Sequence, residues 1–187
     1  MELVQLVDAS GNPTGSAPKH SVHTADTPLH LGFSCWVIGA DGRMLLTRRA
    51  LSKLTWPGVW TNAFCGHPAP GEPTEDAVYR RAEFELGLPR GAFASLGLAV
   101  ADFRYRAVDA SGVVENEICP VFVARLVPAA AITPNPEEVA ERAWADPAQV
   151  FAAAEAAPFL FSPWLVEEMA QPALRSYLAG SANSPRT

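Results

Sequence analysis

The chain has 187 residues, 49% of them hydrophobic and 18% charged, with a formal net charge of -6; a chain of this length suits one domain that buries roughly 70% of its unfolded surface. The acidic balance disfavours nonspecific nucleic-acid binding, which needs clustered cations against phosphates. No apolar run reaches the roughly 20 residues that span a bilayer, and the opening Met1-Glu2-Leu3-Val4 lacks the basic start and apolar run of an export signal, so a cytoplasmic protein with neither nucleic-acid nor membrane partners is expected.

Leu3 to Val7 reads as a strand, followed by the turn-rich Asn12-Pro13-Thr14-Gly15. Segments 29–38 and 43–48 are strand-like and joined across Asp41-Gly42, a strong hairpin signal that predicts an antiparallel pair. Trp56-Pro57-Gly58-Val59-Trp60 reads as a loop, and a short strand over 61–65 enters Gly66-His67-Pro68. Thr74 is the expected cap of a helix over 74–86, with Glu75 and Asp76 beside the positive end of the helix dipole and Gly87 ending it. Val78, Arg81, Ala82 and Glu85 would share one stripe of that helix. Strands near 98–106 and 113–126 flank a turn at Asp109-Ala110-Ser111-Gly112, and 138–145 reads as a further strand. Segment 147–156 predicts a helix with proline first, and Ser162-Pro163-Trp164 opens a last helix to about Ala179. Residues 181–187 are an expected disordered tail. With no repeats and no compositional boundary, 1–180 reads as a single α+β domain, a layered α/β/α arrangement around a mixed sheet.

Cys35, Cys65 and Cys119 are an odd number without CxxC spacing, which argues against a disulfide framework or a cysteine zinc knuckle and leaves a thiol as the chemistry on offer. Histidine occurs only at His20, His23, His30 and His67, and several of these could converge with acids on a first-row divalent ion. Glu115 and Glu117, two apart on a strand, would point to one face, where paired carboxylates need a metal, a shared proton or full solvation. Cys65 and His67 repeat that spacing. Lys19 and Lys53 are the only lysines among 14 basic residues, and lysine serves as a compact phosphate-binding point charge.

Gly66 to Leu88, GHPAPGEPTEDAVYRRAEFELGL, resembles a Nudix box: Gly66, Glu72 after five residues, Arg80 after seven more, then Glu85, Gly87 and Leu88. In that family the loop and helix hold Mg²⁺ against a diphosphate through acidic side chains, as a hard cation prefers. This chain departs from the hydrolase pattern: Arg81 stands where a glutamate follows the arginine, and Phe84 replaces one of the paired acids. A pyrophosphohydrolase and a noncatalytic metal-binding module are the alternatives these residues leave open.

Together with HTADTPLHL (23–31), TRRALSK (47–53), WPGVWTNAFCGHP (56–68), DFRYRA (102–107), ENEICPVF (115–122) and FSPW (161–164), these departures make the chain resemble the type 1 isopentenyl-diphosphate Δ-isomerases over residues 3–170. The resemblance implies a reaction that shifts a carbon-carbon double bond in a homoallylic diphosphate to give the allylic one, through a shielded tertiary carbocation. It implies an internal metal site of His23, His30, His67, Glu115 and Glu117, with Mn²⁺ favoured and Mg²⁺ or Zn²⁺ as alternatives. It further implies Glu85 as the ligand of a Mg²⁺ shared with the substrate, and Lys19, Arg49, Lys53 and Arg81 as the diphosphate clamp. Cys65 and Glu117 are the implied proton carriers, Trp164 the ring facing the cation, and Tyr105 a hydrogen-bonding partner of the acid. A monomer is expected, with a dimer as the alternative.

Overall fold

The computed structural model describes residues 2–180, so the expected tail at 181–187 lies outside the described residues. In chain order the elements are β1 (Leu3–Val7), β2 (Pro13–Pro18), a single turn α1 (Lys19–Val22), β3 (His30–Leu31), β4 (Phe33–Ile38), β5 (Met44–Arg49), β6 (Trp60–Thr61), β7 (Phe64–Gly66), α2 (Thr74–Leu86), β8 (Phe93–Val100), β9 (Arg104–Val108), β10 (Val114–Ile118), β11 (Val121–Leu126), β12 (Val139–Ala145), α3 (Pro147–Ala156), α4 (Pro163–Met169) and α5 (Pro172–Gly180).

β4 is buried at every position, the pattern of a strand covered on both faces. Its side chains alternate between two cores. Phe33, Cys35 and Val37 pack with Ala77, Val78, Ala82 and Leu86 of α2, while Trp36 and Ile38 pack with Val150 of α3, Leu165 and Met169 of α4 and Leu174 of α5. Helices therefore cover both faces of the sheet ordered β12-β5-β4-β11-β8, with β6 and β7 attached to β5 and β4. The pairing β4–β11 is parallel and β4–β5 antiparallel, so the sheet is mixed and the expected α+β layering holds.

A second sheet, ordered β2-β1-β3-β10-β9, arises because two runs of the chain change sheets partway. The run read as one strand over 29–38 breaks at Gly32: β3 pairs parallel with β10, and β4 pairs parallel with β11. The run read as 113–126 breaks at Cys119-Pro120, where proline has no N–H for the ladder. At this joint Gly32 N–H donates to Ile118 O and Ser34 N–H to Pro120 O. The two runs cross between sheets side by side, and the functional residues gather there.

Other expectations are revised in the same way. The strand placed at 98–106 is two strands, β8 and β9, and the stretch read as a turn at 12–15 mostly continues into β2 against β1. The strand at 61–65 divides at Asn62-Ala63, as the chain leaves β5 for β4. The long last helix is two, α4 and α5, the second beginning at Pro172. α2 has the expected bounds, but Pro73 occupies the cap position without a side-chain bond, and Thr74 is the first helical residue. Gly87 closes the helix in the left-handed region at φ 65°, its N–H on Ala82 and Glu83 carbonyls, a conformation that glycine adopts without strain.

Candidate active site

β10 presents Glu115 and Glu117 to one side, both buried, as alternation requires. His30 of β3 lies in register with Glu117. His23 follows directly on α1, and His67 follows β7 where the chain enters the loop before α2. The three imidazole rings lie 5.1–5.5 Å apart, centre to centre. With the two glutamates they offer ligand atoms that all lie within 4.8 Å of one another.

The donor set fits a divalent cation. His30 Nδ1 lies 2.9 Å from the Pro28 carbonyl, which can only accept, so Nδ1 carries the proton and Nε2 has a free lone pair. That lone pair faces Glu117 Oε1 at 3.4 Å, and His23 Nε2 faces Glu115 Oε2 at 3.1 Å. These pairs are close, yet neither nitrogen makes a hydrogen bond; His23 Nε2, His30 Nε2 and His67 Nδ1 are all buried without such a partner. Proximity without alignment is what results when ligand atoms point at a common centre, and the hydrogen bond on the far ring nitrogen of His30 is the usual support of a metal-binding imidazole. Glu115 is held in turn by the Thr55 hydroxyl at 2.7 Å. Burial works against the charge of Glu117, but His67 and His30 beside it hold its carboxyl well below the usual range. Burial lowers the His67 pKa.

Gly32 provides the room for Glu117, because a Cβ there would stand 2.1 Å from Oε2. Gly66 does the same beneath α2, where a Cβ would meet Arg81 Cγ at 2.7 Å and the Phe33 ring at 3.0 Å. Arg80 pairs with Glu72 at 2.7 Å and donates to the His67 carbonyl, tying the loop of the Nudix-like segment to its helix.

A cavity of about 470 Å³ opens over this cluster. Its walls include Cys65, Glu115 and Glu117, the rings of Tyr105 and Trp164, and the cations Lys19, Arg49, Lys53 and Arg81. Lys19 pairs with both oxygens of Glu2 at 3.1 Å, Lys53 with Glu138, and Arg81 with Glu85 at 2.6 Å and Glu138 at 3.2 Å. Arg49 donates to the Thr55 carbonyl and lies over the Trp164 ring, 5.3 Å from its centre. Glu85 does not line the large cavity; it borders a small recess next to it, together with Arg49, Lys53, Cys65 and Glu138. Burial pushes the Glu85 carboxyl up against the pull of Arg81.

Cys65 lies opposite Ser34 in the β4–β7 pair, and its thiol donates to Asn62 Oδ1 at 3.4 Å. Burial, with Glu168 next, pushes that thiol well above its ordinary range. Tyr105 pairs across the strands with Glu117, and its ring lies 5.8 Å from Trp164. Trp56, at φ 43° in the left-handed region, sets its ring edge-on to Trp164 at 5.4 Å; a bulky residue there is strained. Sequence reasoning passed over Asn62, Glu138, Glu2 and Glu168. Asn62 stands three residues before Cys65 in the quoted WPGVWTNAFCGHP, while the roles of the other three arise only from tertiary pairing.

Comparison with known proteins bears on the family and the fold. The NUDIX domain family profile matches residues 28–165. The Isopentenyl-diphosphate Delta-isomerase of Corynebacterium efficiens is 54% identical over 174 residues, covering 93% of this chain and 92% of that protein. The protein of the same name from Clavibacter michiganensis subsp. michiganensis is 59% identical over 168 residues, covering 90% and 84%. Among solved structures, a Deinococcus radiodurans protein superposes with a TM-score of 0.69 at 19% identity, covering 90% of this chain and 97% of that one. A MutT protein from Methanosarcina mazei gives 0.58 at 16%, covering 84% and 97%, and these two likenesses bear on the fold alone. A Nudix fold, a Nudix-like helix with Arg81 and Phe84 in place of acids, and this identity along nearly the whole chain place the protein in the type 1 isopentenyl-diphosphate Delta-isomerase family of the Nudix superfamily.

Proposed function

We propose that the protein interconverts isopentenyl and dimethylallyl diphosphate by protonating one carbon of the substrate and deprotonating another. The observation that carries this reading is a single cavity in which a thiol, a carboxylate pair with the imidazoles of His23 and His67, two aromatic rings and four cations share one wall system. Lys19, Arg49, Lys53 and Arg81 bind the diphosphate, which takes over contacts that Glu2 and Glu138 make in the free protein. The isoprenoid end then lies toward Cys65, Tyr105 and Trp164.

The thiol of Cys65 delivers its proton to the terminal methylene, so that S–H breaks, C–H forms and the positive charge rests on the tertiary carbon. Glu117, as a carboxylate, takes a proton from the methylene that lies between the cationic carbon and the diphosphate ester carbon, and the C–H electron pair becomes the new double bond. One proton is gained and one lost, so the substrate stays at the same composition; exchange with the surroundings restores Cys65 and Glu117 for the next turnover. The Trp164 ring faces the cation, where attraction to a desolvated charge is worth about 2 kcal/mol. Exclusion of water matters because water would trap the cation as an alcohol.

His23, His30, His67, Glu115 and Glu117 would hold one divalent ion, Mn²⁺ favoured and Mg²⁺ or Zn²⁺ as alternatives, and Glu85 would hold a Mg²⁺ shared with the diphosphate. When bound, these ions supply charge neutralisation for the phosphates and fix the Glu117 carboxylate. Against hydrolysis stand Arg81 and Phe84, which replace acids that would activate water.

The test is NMR of isopentenyl diphosphate with the protein and Mg²⁺ in deuterated water. Dimethylallyl diphosphate carrying deuterium is the expected product, and free pyrophosphate alone would sink the reading.

A further inference from the structure

Asn62 occupies the break between β6 and β7, where the chain passes from one strand partner to another, and it is fully buried. Its amide orientation is fixed by chemistry on both sides. Nδ2 lies 3.0 Å from the Cys35 carbonyl, 3.0 Å from the Phe64 carbonyl and 2.9 Å from Ser34 Oγ; backbone carbonyls only accept, so the nitrogen belongs there. Oδ1 faces three donors: the Thr61 hydroxyl at 2.8 Å, the Trp164 indole N–H at 3.1 Å and the Cys65 thiol at 3.4 Å. An indole N–H only donates, so the oxygen belongs on this side.

Asn62 is itself anchored from behind. Ser34 Oγ donates to Glu168 Oε2 at 2.9 Å, and the Trp36 indole donates to the same oxygen at 2.7 Å. On the other flank Thr61 bonds to Ser162, whose side chain caps α4, the helix that carries Trp164.

We infer that Asn62 is a positioning residue, whose one oxygen holds Cys65 Sγ and the indole of Trp164 in a single frame at the cavity wall. The inference rests on the reading of Cys65 as proton donor. An alkene accepts a proton only along the axis of its π orbital, so the sulfur must stand in a narrow range of positions from which the S–H, resting on Asn62, turns to the seated alkene about the Cβ–Sγ bond, and the ring opposite the developing cation must be held in the same frame. A single acceptor shared by the two groups fixes their mutual geometry without adding a charge that would compete for the cation.

The test reads the thiol directly and then the rate. The infrared S–H stretch of Cys65, isolated as wild type minus Cys65→Ala, is expected at the lowered frequency of a hydrogen-bonded thiol; a band at the free-thiol frequency in the wild type would overturn the inference without any Asn62 variant. In Asn62→Ala the band is expected to move to the free position, with kcat lowered about 10- to 100-fold and KM changed less than about twofold. Ser34→Ala keeps both carbonyl anchors of Asn62 and serves as the destabilised control, expected to keep kcat within about threefold of wild type. If kcat follows stability equally in the two variants, Asn62 is only a packing residue and the inference fails. Turnover retained by Cys65→Ala would overturn the donor reading itself, whereas turnover lost in Cys65→Ala but unchanged in Asn62→Ala overturns the positioning role alone.

Discussion

A Cβ on Gly32 would stand 2.1 Å from Oε2 of Glu117 and 2.8 Å from its carboxyl carbon. Gly32→Ala therefore forces the glutamate aside at the point where it faces His30 and His67, and its backbone has no positive φ to relieve. The expected result is metal affinity weakened about 10- to 100-fold, the range for disturbing the support of a ligand, with turnover falling in parallel. Metal titration followed by calorimetry measures this, and unchanged affinity would show that Glu117 is not a ligand.

That contact also shows what the sequence hides. The alternation of Glu115 and Glu117 puts both on one face of a strand, and α2 and α3 have the bounds that periodicity and end signals suggest, with β12 starting one residue later than expected, because those signals lie within a few residues of one another. Gly32 and Cys119-Pro120 break two apparent strands because each half pairs with a different sheet, and nothing local records which partner a strand takes. The pairing of Ser34 with Glu168 spans 134 positions, so neither residue reads as a partner of the other until the fold brings them together. The imidazoles were legible as a group because histidine is scarce; Asn62 was not, because asparagine in a loop usually marks a turn.

Three imidazoles and two carboxylates whose ligand atoms lie within 4.8 Å of one another are poorly compensated without a cation. Chelation is expected to abolish turnover and lower Tm, and Mn²⁺ or Mg²⁺ to restore both. An ion at 100 times its Kd stabilises a folded chain by about 2.7 kcal/mol. His67→Ala should lose the metal-dependent part of the Tm change, read by thermal melts with and without ion. A Tm indifferent to chelator and to added ion would exclude a resident metal in this cluster.

Lys53 and Arg81 share Glu138 but differ in burial, with side chains 26% and 5% exposed. Lys53→Met removes a half-exposed pair worth about 0–1 kcal/mol, so stability should hold while KM rises about tenfold through loss of a phosphate contact. Arg81→Met leaves Glu85 and Glu138 facing each other in a buried place, an imbalance that costs about 3–5 kcal/mol. Urea denaturation beside steady-state kinetics separates the two. Equal stability losses would show that the Arg81 pair is solvated in practice.

Glu168 is fully buried, and burial together with the charges of Glu117 and Glu167 pushes its carboxyl up to about 8, against hydrogen bonds from Ser34 and Trp36 that favour the ionised form. The thiols of Cys35, Cys65 and Cys119 also face it and are held neutral by burial. Its folded-state pKa therefore lies above the ordinary value of 4.5. Below that ordinary value both states are protonated and the contribution to stability is complete. Between it and about 8 the unfolded chain has ionised while the folded one keeps its proton, so stability falls by about 1.4 kcal/mol per pH unit until the folded carboxyl ionises too. Glu168→Gln keeps an acceptor for Ser34 and Trp36 and cannot ionise. Urea midpoints measured from pH 5 to about 8 should therefore fall with pH in the wild type and stay flatter in the variant, leaving the variant the more stable at the alkaline end. Parallel curves would mean that Glu168 is ionised in the folded protein, with its charge carried by the two donors alone.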